Sequence, residues 1–199
     1  MPERAVTVAP PANPTAVGLV AFGLTTVLLS LINIGILPPG GEAVVIPLGF
    51  AFGGLTQILA GVFEFSLKNT FGMTAFLSYG AFWWWFAFLL LLANNHLLDI
   101  SAAGATLGVT LLLWGLFTLY MWISTFRQPR IIFLIFLTLW ISLGLLGLGA
   151  IEHNVSLNHA GGWLGLGCGF MALYGSFGIV TNETFGRTIV PLGEIPLLS

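Results

Sequence analysis

The chain has 199 residues, of which 6% are charged and 57% apolar, with a formal net charge of -2. Soluble domains average about 25% charged residues, so a water-soluble globule of this composition would have to expose much of its hydrophobicity, and so small a net charge offers nothing to nucleic acid. The one cysteine, Cys168, excludes a disulfide framework and a thiolate metal cluster, and within an apolar run it reads as a small buried hydrophobe.

Six apolar segments follow one another, at 17–37, 44–67, 72–93, 102–126, 131–150 and 161–180. Each is about 20 residues or more, enough at ~1.5 Å per residue to cross a hydrocarbon core of ~30 Å. The spacing predicts an all-α, polytopic membrane protein with six transmembrane helices. The first segment is expected to stay in the mature protein, since it is too long for a cleaved leader and no basic run precedes it. Turn signals at Pro38-Pro39-Gly40-Gly41, Asn94-Asn95 and Gln128-Pro129 mark three of the connections. Residues 1–12 and 188–199 read as flexible or surface-lying tails around one domain, 13–187.

The five basic residues set the orientation. Arg4, Lys68, Arg127, Arg130 and Arg187 all flank the segments on one side, while Glu42, His96, Asp99, Glu152, His153 and His159 fall on the other, which has no Lys or Arg. The positive-inside rule assigns the basic side, with both termini, to the cytoplasm. An internal echo is also visible: Thr70-Phe71-Gly72-Met73-Thr74 matches Thr184-Phe185-Gly186-Arg187-Thr188. Such repeats are common in transporters.

Twenty-six glycines sit mostly inside the segments, where small residues let helices approach closely in lipid. Gly49, Gly53 and Gly61 form one stripe, and Gly161, Gly165 and Gly169 another; both are read first as packing within the bundle and second as subunit interfaces. Polar faces occur as well. Phe22, Thr26, Ser30 and Asn33 share one in the first segment, Gly53, Gln57, Gly61 and Glu64 in the second, and Gly72, Phe76 or Ala75, Tyr79 and Trp83 or Phe82 in the third. Intramembrane polar groups must find a partner or line a watery path. Glu64, the single carboxylate within a segment, lies one turn before Lys68, so an i,i+4 ion pair is its first reading and a proton or solute role its second.

Enzyme chemistry is poorly represented. The chain has no nucleophile elbow, P-loop or zincin motif, and His153 and His159, six residues apart, share no helix face for a metal. Solvated interfacial histidines are the reading here, with no catalytic residue, cofactor or metal expected.

Asn13-Pro14-Thr15-Ala16-Val17-Gly18-Leu19 resembles the Asn-Pro-Ala-Pro-Leu-Gly-Leu signature of the acetate uptake transporter family, the succinate/acetate permeases also called the GPR1/FUN34/YaaH family. It departs at Thr15, Ala16 and Val17. Further blocks carry the resemblance: 53–61 (GGLTQILAG), 69–80 (NTFGMTAFLSYG), 114–118 (WGLFT) and 182–188 (NETFGRT). The resemblance extends over the chain from Asn13 to Gly193.

The resemblance implies passage of small monocarboxylates, acetate above all and succinate in some members, through a pore in each protomer of a homo-hexamer in the cell membrane. It also implies an apolar, aromatic constriction at Phe22, Tyr79 and Leu139. Carboxylic acids, with pKa about 4, are anions at neutral pH. Hydroxyl, amide and helix N-terminal N–H groups can replace their water without a cation that would trap them. On that basis Asn13, Thr15, Thr26, Asn33, Gln57, Thr74 and Thr118 are the expected polar lining, with the Tyr79 phenol hydrogen-bonding the passing carboxylate. The alternative is a channel for ammonia or another small neutral solute, which a pore without fixed charge also suits.

Overall fold

In a computed structural model, residues 11–100 and 102–194 are described; Arg4, the first ten residues and the last five lie outside. Six long helices follow in order: α1 Thr15–Asn33, α2 Glu42–Ser66, α3 Thr70–Asn94, α4 Gly104–Arg127, α5 Arg130–Glu152 and α6 Val155–Phe185, each long and apolar enough to cross a bilayer. The described residues contain no strand.

Local chemistry sets the helix ends. Asn69 starts α3 by accepting a hydrogen bond from the Gly72 N–H at 3.1 Å, and Asn154 starts α6 by accepting from Ser156 and Leu157 at 3.0 and 3.2 Å. Gly186, with φ 62°, ends α6 in the left-handed conformation. Because α6 begins at an Asn cap and runs on through Asn182 and Glu183, it spans 31 residues, far longer than its apolar stretch. The echo between 70–74 and 184–188 is therefore one of sequence and not of structure: Thr70 to Gly72 open a helix behind an Asn cap, while Thr184 to Gly186 close one.

Inside α2 the backbone departs from regularity. Pro47 supplies no N–H, and Gly49–Thr56 winds as a π-helix. Side chains take up carbonyls of that stretch: Trp84 Nε1–H donates to Phe50 O at 2.9 Å, and the Thr56 hydroxyl to Ala51 O at 3.0 Å.

Glycines hold the bundle together. A methyl group at Gly23 would stand 2.9 Å from Gly169 O, and one at Gly108 would stand 2.5 Å from Gly147 O; α1 thus meets α6, and α4 meets α5, backbone against backbone. Both stripes read from the sequence are used within the chain. Gly49 and Gly53 face Trp83 and Thr25, Gly61 faces Leu77, and Gly161, Gly165 and Gly169 face Leu146, Ser30 and Val27. Cys168 is fully buried, its thiol donating to Ile135 O at 3.4 Å.

At one end the start of α1 meets the ends of α2 and α6, around a groove lined by Asn13, Val17, Phe63, Leu67 and Ser176. The described part of the expected C-terminal tail is tied down there. Asn182 Oδ1 accepts from the Ile189 and Val190 N–H groups at 2.8 and 2.9 Å while its Nδ2 donates to Val190 O at 2.9 Å. The Arg130 and Ile131 N–H groups, orphans of the first turn of α5, donate to Gly193 O and Leu192 O at 2.8 and 3.2 Å. The sequence reading of 188–199 as a flexible or surface-lying tail did not include these bonds, because their partners are mostly backbone groups, which composition does not reveal.

Candidate solute pathway

Two cavities lie in line within the bundle. The larger, about 410 Å³, opens at the end where Asn33, Val155, Asn158 and His159 sit; the smaller, about 70 Å³, lies at the opposite end beside Thr15, Asn69 and Gln128. Three residues line both: Phe22 from α1, Tyr79 from α3 and Leu139 from α5. Each is almost completely buried, 6%, 5% and 7% exposed, so the cavities are separated by a plug of two rings and one isobutyl group.

Aromatic neighbours hold the plug. The Tyr79 ring lies 5.9 Å from Phe22, 5.5 Å from Phe117, 6.0 Å from Phe136 and 6.1 Å from Trp114, all tilted or edge-on, the arrangement that ring quadrupoles favour. Its hydroxyl donates to Thr118 Oγ1 at 2.9 Å, and Thr118 in turn donates to Trp114 O at 2.7 Å. The phenol expected to greet a passing carboxylate is thus spent on orienting its own ring. Thr118 is fully buried and acts behind the plug.

The other expected lining residues divide. Thr26 and Asn33 line the upper, larger cavity, and Thr15 and Gln57 the lower one. Asn13 instead borders the outer groove, where its side chain accepts from the Thr15 N–H at 3.0 Å. Thr74, half-buried, borders neither cavity. Thr26 Oγ1 and Gln57 Oε1 are buried without a hydrogen-bond partner among the described residues, one on each side of the plug. A buried polar atom left in that state costs about 1–3 kcal/mol, which is tolerable where a solute or water supplies the missing bond.

Several cavity-lining residues were not expected in the lining from the sequence. Ser142, Asn158 and His159 line the upper cavity and Asn69, Gln128 and Phe136 the lower. His159, read as an interfacial histidine, stands at the cavity mouth. Among the described residues no Lys or Arg lines either cavity, so an anion there would meet dipoles and not a fixed cation.

Glu64 is 1% exposed, the one buried carboxylate among the described residues. Its partners are Thr15, whose hydroxyl donates to Oε1, and Asn69, whose Nδ2 donates to Oε2 at 2.8 Å. Lys68, the partner suggested by i,i+4 spacing, lies beyond the helical turn with φ 59°, because the chain reverses there to enter α3.

A sequence profile described as the GPR1/FUN34/yaaH family matches residues 2–197. The chain belongs to that family. It is 44% identical over 183 residues to the succinate-acetate/proton symporter SatP of Escherichia coli K12, covering 92% of this chain and 96% of that protein. It is 37% identical over 199 residues to acetate permease A of Emericella nidulans, covering 93% and 67%. Among solved structures it resembles the bacterial acetate channel SatP with a TM-score of 0.88 at 42% identity, covering 92% of this chain and all of that one. Six membrane-length helices in this family make the chain a multi-pass integral membrane protein.

Proposed function

We propose that the protein is a permease for small carboxylates, acetate first and succinate second, with a pathway through each protomer that narrows at Phe22, Tyr79 and Leu139. The observation that carries this reading is the meeting of two cavities at those three side chains, together with 44% identity to a succinate-acetate/proton symporter. The lining suits the solute. Above the plug, Thr26, Ser30, Asn33 and Asn158 offer hydroxyl and amide groups that replace a carboxylate's water; at the plug, apolar surface admits a two-carbon chain more readily than a four-carbon one.

The basic side, with Lys68, Arg127, Arg130 and Arg187, faces the cytoplasm of a cell inner membrane in this reading, and the protomers assemble as a hexamer. The glycine stripes do not carry the hexamer, since both are consumed within the protomer; family resemblance carries it.

The test is flux of radiolabelled acetate and succinate into proteoliposomes, with the pH gradient and the voltage clamped separately. Acetate uptake above that of protein-free vesicles, with succinate slower, is expected. Vesicles that release ammonia rapidly but hold acetate as tightly as bare lipid would replace the carboxylate reading with the neutral-solute one.

A further inference from the structure

We propose that Glu64 is the proton-binding residue of the pathway: a carboxylic acid reaching the lower cavity hands its proton through the Thr15 hydroxyl to the Glu64 carboxylate. The proposal rests on the carboxylate-permease reading above and assigns a residue to proton coupling within it.

Geometry supplies the relay. Thr15 lines the lower cavity, and its hydroxyl donates to Glu64 Oε1. A solute O–H that donates to Thr15 Oγ1 therefore completes a two-link chain. The solute's O–H bond breaks as a new one forms at Thr15; the Thr15 O–H breaks as a new one forms at Glu64. Solute acid, threonine and carboxylate become solute anion, threonine and glutamic acid, so atoms and charge balance without any further reactant. Once the anion has left, the same hydroxyl returns the proton to water entering the cavity.

The surroundings of Glu64 accommodate both protonation states. A buried carboxylate is costly unless hydrogen-bonded, and here one hydroxyl and one amide hold it, with the Asn69 bond at 2.8 Å. After protonation the bond to Thr15 reverses, Glu64 donating and Thr15 accepting, while Asn69 still donates to the other oxygen. Two hydrogen bonds are kept either way. A carboxylate locked to a lysine or arginine would lose its partner on protonation; this one has no such lock.

Among the described residues neither hydrogen-bond partner of Glu64 is titratable. Thr15 meets it from α1, Asn69 and Gly72 from the start of α3, and Lys68 follows on its own strand of chain. Among the described residues lining the lower cavity the one titratable side chain is Tyr79, whose hydroxyl donates to Thr118 Oγ1. Gln57 adds an independent sign. Its Oε1 is a buried acceptor without a partner, in the wall of the same cavity; an acceptor repels a carboxylate and welcomes a carboxylic acid O–H.

The experiment measures labelled acetate and internal pH together in proteoliposomes, corrected for protein-free vesicles, and reads the ratio of protons to acetate. Wild-type protein is expected to move one proton with each acetate. In Glu64→Gln, which keeps the size of the side chain, uptake driven by a pH gradient should fall about 100-fold, the low end for loss of a positioned proton-transfer group, and the ratio should fall with it. Thr15→Val should behave alike and Thr15→Ser should restore the ratio. A wild-type ratio in Glu64→Gln or in Thr15→Val overturns the assignment. If a variant carries no flux, infrared difference spectra of the wild-type protein with and without acetate decide: a protonated-carboxyl carbonyl band that vanishes in Glu64→Gln supports it, and its absence overturns it. Wild-type protein that moves no acetate at all refutes the permease reading instead, a separate outcome.

Discussion

Tyr79 and Thr118 offer a perturbation whose outcome follows from one hydrogen bond. The Tyr79 hydroxyl donates to Thr118 Oγ1 at 2.9 Å, and the Thr118 hydroxyl donates to Trp114 O at 2.7 Å. Tyr79→Phe removes a donor and leaves Thr118 with its own proton still placed, so its cost is that of one net hydrogen bond, about 0.5–1.5 kcal/mol. Thr118→Val removes the acceptor and strands a buried phenol O–H, a penalty of about 1–3 kcal/mol. In the double variant no polar group is stranded, so it should be no less stable than Thr118→Val alone. The two changes should therefore couple by about 1 kcal/mol or more, beyond the few tenths expected of independent sites. Thermal unfolding in one detergent measures the stabilities, and the succinate-to-acetate flux ratio in proteoliposomes measures the plug. Both single variants should loosen the ring and raise that ratio together, with acetate flux changed only a few-fold. Strictly additive stabilities, or a Tyr79→Phe variant that loses acetate flux while Thr118→Val keeps it, would refute the reasoning and return the phenol to the solute.

Phe22→Ala and Leu139→Ala each remove a side chain bordered by cavity on two sides, so the loss should fall below the roughly 3–5 kcal/mol of a truncated core phenylalanine and the succinate-to-acetate ratio should rise at near-normal expression; an unchanged ratio in both removes the plug from selectivity. Gly108→Val should abolish folded protein, since even its Cβ would stand 2.5 Å from Gly147 O, whereas Gly167→Ala, with nothing within 4 Å, should be silent; size-exclusion profiles compare them. Asn182→Ala deletes three hydrogen bonds to Ile189 and Val190 and should expose the segment after Gly186 to limited proteolysis, with little change if that strap is held by apolar contacts alone.

The number of crossings was legible in the sequence because a bilayer imposes it: every span must satisfy its backbone internally and meet lipid with apolar side chains, and both demands are written into composition. The polar faces of α1 and α2 were legible for the same reason, since Thr26, Asn33 and Gln57 are expensive in lipid and had to point inward. Leu139 was reachable only through family resemblance, because one leucine among many on an apolar helix carries no mark of facing a cavity. The partnerships were decided by tertiary structure. Tyr79 finds Thr118 39 residues away, and Glu64 finds Thr15 49 residues away rather than Lys68 one turn on. Periodicity assigns a residue to a face of its own helix; which side chain stands opposite depends on where glycine contacts such as Gly23 with Gly169 let two helices close, and that distance exists only in the folded bundle.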